Sequence, residues 1–216
     1  MKKTAVILTA SLATLLLSSC AADGDLVINS NVGISATRTG CPAVAVPDGT
    51  GDITLFNPEN WQDASAIDVV ATLTKVRSVC NNSGAKIYTE ASFQVFASRR
   101  DTRGARTVTL PYFSTVVQGS TAVIAKRIGQ VTLQFADGQA RASTSGKAAS
   151  YVDAAAARLP ADIIAKITKK RKPGDPDAAL DPFADPQVKA AVTRASFELL
   201  IGFQLTEDQL RYNVTR

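Results

Sequence analysis

Alternation with a period of two dominates the middle of the chain. Between residues 86 and 98, Ile87, Thr89, Ala91, Phe93, Val95 and Ala97 fall on one side, and Glu90, Ser92, Gln94 and Ser98 on the other, with Tyr88 and Phe96 as aromatic exceptions. Successive strand residues point to opposite faces, so this is the pattern of a half-buried strand. Asn81-Asn82-Ser83-Gly84 before it is turn chemistry. The apolar-rich stretch 66–80 is therefore expected to pair with it as a hairpin, leaving Cys80 at a strand end. Further strands are expected at 107–117, 122–135 and 139–150, divided by Gln118-Gly119-Ser120 and Asp137-Gly138. Within 122–135 the phase changes, because Ile124 and Ile128 are even while Val131, Leu133 and Phe135 are odd. A slip of one residue reverses every side chain, so a β-bulge is expected near Gly129.

From about residue 152 the period becomes helical. Pro160 opens one helix, Ile163, Ile164 and Ile167 give it an apolar stripe, and Pro173-Gly174 is expected to end it. Asp185 is the expected N-cap of a second helix, with Pro186 first and Val188, Ala191, Val192 and Ala195 at helical spacing. The proline-rich stretch between the two is expected to be irregular. Alternation then returns in Phe197, Leu199, Ile201, Phe203 and Leu205. Thr206 and Gln209 have the spacing of a capping box, Leu205 and Leu210 that of a hydrophobic staple, so a closing helical turn should fold back onto a sheet edge. At least six strands with one helical insertion at about 152–195, before the last strand, predict an all-β fold. The expected form is an antiparallel immunoglobulin- or fibronectin-like sandwich, with a small barrel as the alternative.

The first 20 residues follow a different rule. Lys2 and Lys3 precede an almost uninterrupted apolar stretch of 13 residues, Ala5 to Leu17, and Leu17-Ser18-Ser19-Cys20 has the form of a bacterial lipobox. A run this short reads as a cleaved leader rather than a membrane span, which needs about 20 apolar residues. The expected organisation is a signal peptide at 1–19, a lipidated tether rich in Gly, Ser, Asn and Thr at 20–40, and the β domain at 41–216. Three acyl chains on Cys20, at about 0.8 kcal/mol per buried methylene, would make that residue a permanent membrane anchor. The likeness to bacterial lipoproteins implies an outer-membrane, periplasm-facing location, because Ala21 rather than aspartate follows the cysteine. In an oxidising compartment Cys41 and Cys80 are expected to form a disulfide, worth about 3 to 4 kcal/mol for a loop of this size.

"CPAVAV" at the start of the domain, "LPYF" at Leu110 to Phe113 and the ending "IGFQLTEDQLRYN" carry a further resemblance. The chain resembles a group of uncharacterised envelope lipoproteins of Gram-negative bacteria, over most of residues 41–216. The resemblance implies a β-sandwich envelope protein and no particular activity.

Composition narrows the chemistry. The chain has no histidine, which removes Ser-His-Asp and Cys-His arrangements and imidazole zinc sites. Thr144-Ser145-Gly146-Lys147 imitates a Ser-x-x-Lys pair, but on a strand residues three apart face opposite sides. The one acidic concentration, Asp175, Asp177, Asp181 and Asp185, lacks the glycine and terminal glutamate of a dedicated calcium loop. No catalytic residue, metal or cofactor is expected. Loss of residues 1–19 lowers the formal charge from +5 to +3, since Lys2 and Lys3 go with them, too small an excess to indicate nucleic acid. Five cations, Lys166, Lys169, Lys170, Arg171 and Lys172, form a knot that either contacts anionic cell-wall polymer or lipopolysaccharide, or complements a helix C-terminus. "RRDTRGAR", from Arg99 to Arg106, is a second basic loop, and Trp61 is either a partner anchor or a cap on the core. The expected function is that of a non-catalytic module anchored by lipid and contacting an envelope protein partner; the alternative is a polymer binder acting through 166–172.

Overall fold

The computed structural model describes residues 40–59 and 62–215. The expected signal peptide, Cys20, the tether up to residue 39 and Trp61 lie outside the described residues. Eight strands make two four-stranded sheets, one of them curled as a half-barrel. They are β1 (Ala43–Ala45), β2 (Asp52–Phe56), β3 (Ile67–Asn81), β4 (Lys86–Arg99), β5 (Arg106–Gln118), β6 (Ala122–Phe135), β7 (Arg141–Asp153) and β8 (Phe197–Phe203). One sheet has the order β1-β8-β5-β6 and the other β2-β3-β4-β7, all pairs being antiparallel except β1 with β8. The fold is thus mostly β, as expected. β1 and β2 escaped the sequence reading because segments of three and five residues are too short to establish a period.

The alternation of β4 is realised residue by residue. Ile87, Thr89, Ala91, Phe93, Val95 and Ala97 are buried, and Tyr88 and Phe96 lie on the other face. The hairpin with β3 is closed by an Asx turn, in which the amide and hydroxyl of Ser83 both donate to Asn81 Oδ1. Between β5 and β6 the turn has Gly119 and Ser120 at φ of 61° and 66°. Two consecutive left-handed residues match the twist of the flanking strands. The core joins Leu73, Phe93 and Val95 of one sheet to Leu110, Leu133, Phe135, Leu199 and Ile201 of the other.

The bulge in β6 is at Ile124, not near Gly129. Gly129 stays in register opposite Tyr112, and the shift falls where Val116 pairs with Ala125 but Val117 pairs with Val123. Hydrophobic phase misled here because residues 122–128 are exposed on both faces, so Ile124 and Ile128 have no core to seek. Gly129 answers a different need. A Cβ there would sit 2.5 to 2.7 Å from the Tyr112 ring, and one at Gly146 of β7 would collide with the Phe93 ring. Two rings therefore lie over glycines of the edge strands β6 and β7, and they pack on each other edge to face at 5.0 Å.

The helices are α1 (Ala161–Thr168), α2 (Pro186–Arg194) and α3 (Glu207–Thr215). α1 stops five residues before Pro173. Beyond Ile167 no apolar residue follows at helical spacing, and continuation would stack Lys166, Lys169 and Lys170 as like charges one turn apart. The Thr168 hydroxyl closes the end on Ile164 O at 2.7 Å. α2 begins as expected, with Asp185 Oδ1 accepting from the Gln187 amide at 2.8 Å and Pro186 first. Leu159, Ile163, Ile167, Val188, Ala191 and Ala195 make a second, smaller core. The capping box of α3 is reciprocal: Thr206 N donates to Gln209 Oε1, and Gln209 N to Thr206 Oγ1. α3 folds back onto β2 through the Tyr212–Phe56 ring pair and through Asn213 Nδ2, which donates to the carbonyls of Gly49 and Asp52.

Both sheets and the three helices belong to one compact unit, made by the described residues up to 169 and from 181 onward. Residues 170–180 belong to a second unit, where the amides of Asp175, Ala178 and Leu180 donate to carbonyls three residues earlier in successive turns.

Candidate functional site

Register across β3, β4 and β7 dictates what the outer face of that sheet presents. Residues directly opposite one another share a face, so Arg77, Ser92 and Lys147 form one row across three strands. The neighbouring row is Thr74, Gln94 and Ser145, and the row two further along the other way is Asn81, Tyr88 and Tyr151. β3 carries one extra residue between Thr74 and Arg77, and Lys75 in that bulge has φ of 52°. A left-handed lysine inside a strand is strained, and a bulge re-aims the side chains beside it. Here Lys75 Nζ stands 5.1 Å from the Phe96 ring centroid, on the outer face. A concavity of about 400 Å³ is rimmed by Lys75, Arg77, Ser92, Gln94, Ser145 and Lys147, with Phe93 and Gly146 also lining it.

Charge in this concavity is of one sign. Lys147 Nζ bonds Glu90 Oε1 at 2.9 Å, and Tyr88 Oη donates to Glu90 Oε2 at 3.0 Å. These two donors hold the Glu90 carboxyl below its ordinary value, the lysine contributing most. The same carboxylate raises Lys147 and Tyr88, so the lysine stays protonated. Among the described residues Lys75 and Arg77 make no ion pair. Tyr88 and Tyr151 pack at 5.0 Å between centroids with their planes tilted by 46°, and Tyr151 is largely exposed.

A larger cleft of about 650 Å³ lies between β2 and the start of α3. Three of its charged side chains are held in ion pairs. Arg106 grips Asp68 in a bidentate pair at 2.7 and 2.6 Å, and Asp208 pairs with Arg211 at 3.0 Å.

The residues singled out by sequence are dispersed. Lys166 pairs with Asp185 at 3.0 Å, and Lys169 caps the C-terminus of α1. In the 170–180 unit, Arg171 is buried with Nε 3.4 Å from Asp177, while Lys170 and Lys172 are exposed. The acidic residues serve local geometry: Asp181 and Asp185 accept from the amides that follow them, and Asp175 accepts from Lys172 N at 2.8 Å. The second basic loop is a fastening. Arg99 is buried, with Nε donating to Gln139 O and Nη2 facing the carbonyls of Thr102, Gly104 and Ala136 at 2.8 to 2.9 Å. Arg103 pairs with Asp101 and Arg100 donates to Ser65 O. Cys41 and Cys80 are disulfide-bonded. Thr144 and Lys147 stand on a strand, facing opposite ways. Lys75, Arg77 and Lys147 went unread as a group because they come from segments far apart in sequence, and their one local signal is a cation at outward positions of alternating strands. No family model, curated protein or solved structure matches this chain.

Proposed function

We propose that the protein is a lipid-anchored module of the bacterial envelope that works by contact with another envelope component rather than by catalysis. The observation that carries this reading is the order of the first 20 residues: two lysines, an almost uninterrupted apolar stretch of 13 residues, two serines and Cys20. The disulfide supports it, since such bonds persist in oxidising compartments. So does the use of the acidic loop and the second basic loop as internal fastenings, which leaves neither as acid–base machinery. Among the described residues no helix is long and apolar enough to cross a membrane, consistent with attachment through lipid. A kinship with Gram-negative envelope lipoproteins and an outer-membrane, periplasm-facing position form part of the same proposal. So does an immunoglobulin- or fibronectin-like form of the sandwich, supported by two sheets facing across one core.

Mass spectrometry of the native protein tests the anchor: the mature chain should begin at Cys20 and carry three acyl groups. Cys20→Ala should release the protein from the membrane fraction. A mature N-terminus elsewhere, or a Cys20 without lipid, overturns the proposal.

A further inference from the structure

We propose that the outer face of β3, β4 and β7 binds an anionic polysaccharide, with an acidic substituent seated among Lys75, Arg77 and Lys147. Three features of the face choose this occupant. Its charge is complementary to an anion: Lys75 and Arg77 have no carboxylate partner among the described residues, and the one acidic group of the concavity's surroundings, Glu90, already holds Lys147 and Tyr88. Charge-assisted bonds to such cations are the strong ones, and a guanidinium can grip a planar or tetrahedral oxyanion with two N–H groups.

The groups between the cations are hydroxyls and an amide, from Ser92, Ser145 and Gln94. They suit the hydroxyl array of a sugar, and the Phe93 ring beneath them is buried rather than presented as an open apolar surface. An extended peptide would seek backbone hydrogen bonds at a free strand edge, such as the outer side of β7, whereas across the face of β3, β4 and β7 only side chains point outward. The Tyr88–Tyr151 pair lies four residues along β4 from Ser92, about 13 Å at strand rise. That span accommodates two or three sugar rings, and the exposed Tyr151 ring offers a flat apolar surface to the C–H face of the last of them. The bulge supplies the built element. It costs a left-handed lysine in mid-strand, and it places Lys75 beside Arg77 above a shallow floor formed at Gly146. This inference requires neither the anchor nor the compartment, so the failure of either proposal leaves the other standing.

The test is calorimetric titration of the full chain, solubilised in detergent at low ionic strength, with dextran sulfate and with uncharged dextran of equal length. The wild type should bind the first and not the second. Lys75→Gly combined with Arg77→Gln should weaken binding at least about tenfold. Glycine keeps the left-handed backbone, and an unchanged melting temperature verifies the fold. The comparator Lys169→Gln, Lys170→Gln, Lys172→Gln should stay within about twofold of wild type, which separates this face from general basicity. Amide shift mapping on the wild type, independent of any variant, should confine perturbations to β3, β4 and β7. The proposal is overturned by absent binding, equal binding of dextran, a double variant within twofold of wild type, loss of affinity in the comparator instead, or shifts centred elsewhere.

Discussion

Single residues carry more structural duty here than their charge suggests. Arg99 looked like part of a basic surface loop, yet it is 4% exposed and its guanidinium holds four carbonyls of two neighbouring loops. Arg99→Met would fill similar volume and strand those oxygens without donors. We expect a loss of about 3 kcal/mol in urea unfolding, more than any substitution of the exposed Arg103. Glu90 gives a second expectation. Its folded-state value is lowered by Lys147 first and Tyr88 next, from an ordinary 4.5. The linked stabilisation is therefore complete above the unfolded value and is lost as pH falls through the lowered folded one. Thermal melts of the wild type should fall as the pH drops below about 4.5, and Glu90→Gln should flatten that part of the curve. Sequence showed both residues as charged. It could not show that one would be enclosed and the other clamped, because enclosure depends on loops brought together from positions 37 and 40 residues away.

At the scale of elements, strands whose alternation faces a core were legible, and segments without that constraint were not. β4 and β8 each have one face against the core, so the period holds along all of β4 and from Phe197 to Ile201 of β8, beyond which Gly202 is buried as well. The first half of β6 has none, which is why its isoleucines misplaced the bulge. As an edge strand it offers unpaired backbone groups to any second chain. Lys126, Arg127 and the Ile124 bulge are the kind of features that blunt such an edge. Lys126→Val with Arg127→Thr should change monomer stability by less than about 1 kcal/mol, the loss including the Lys126–Phe113 ring contact, while larger species grow with concentration in sedimentation velocity.

At the scale of the whole molecule, the disulfide ties the segment entering β1 to the far end of β3, across a sequence separation of 39. Replacing both Cys41 and Cys80 by serine should lower unfolding free energy by about 3 to 4 kcal/mol while leaving the far-UV spectrum intact under native conditions. Much of this architecture was determined by sequence alone: the period of the long strands, the Asx turn, the cap of α2 and the capping box of α3 all arise from interactions within a few residues. Tertiary structure decided the rest. The parallel pairing of β1 with β8 joins residues more than 150 positions apart, and no local pattern encodes which edge a three-residue strand will choose. The cationic face likewise exists only because antiparallel register sets Arg77, Ser92 and Lys147 side by side. Local periodicity says which side of a strand is wet; only the pairing of strands says what that wet side meets.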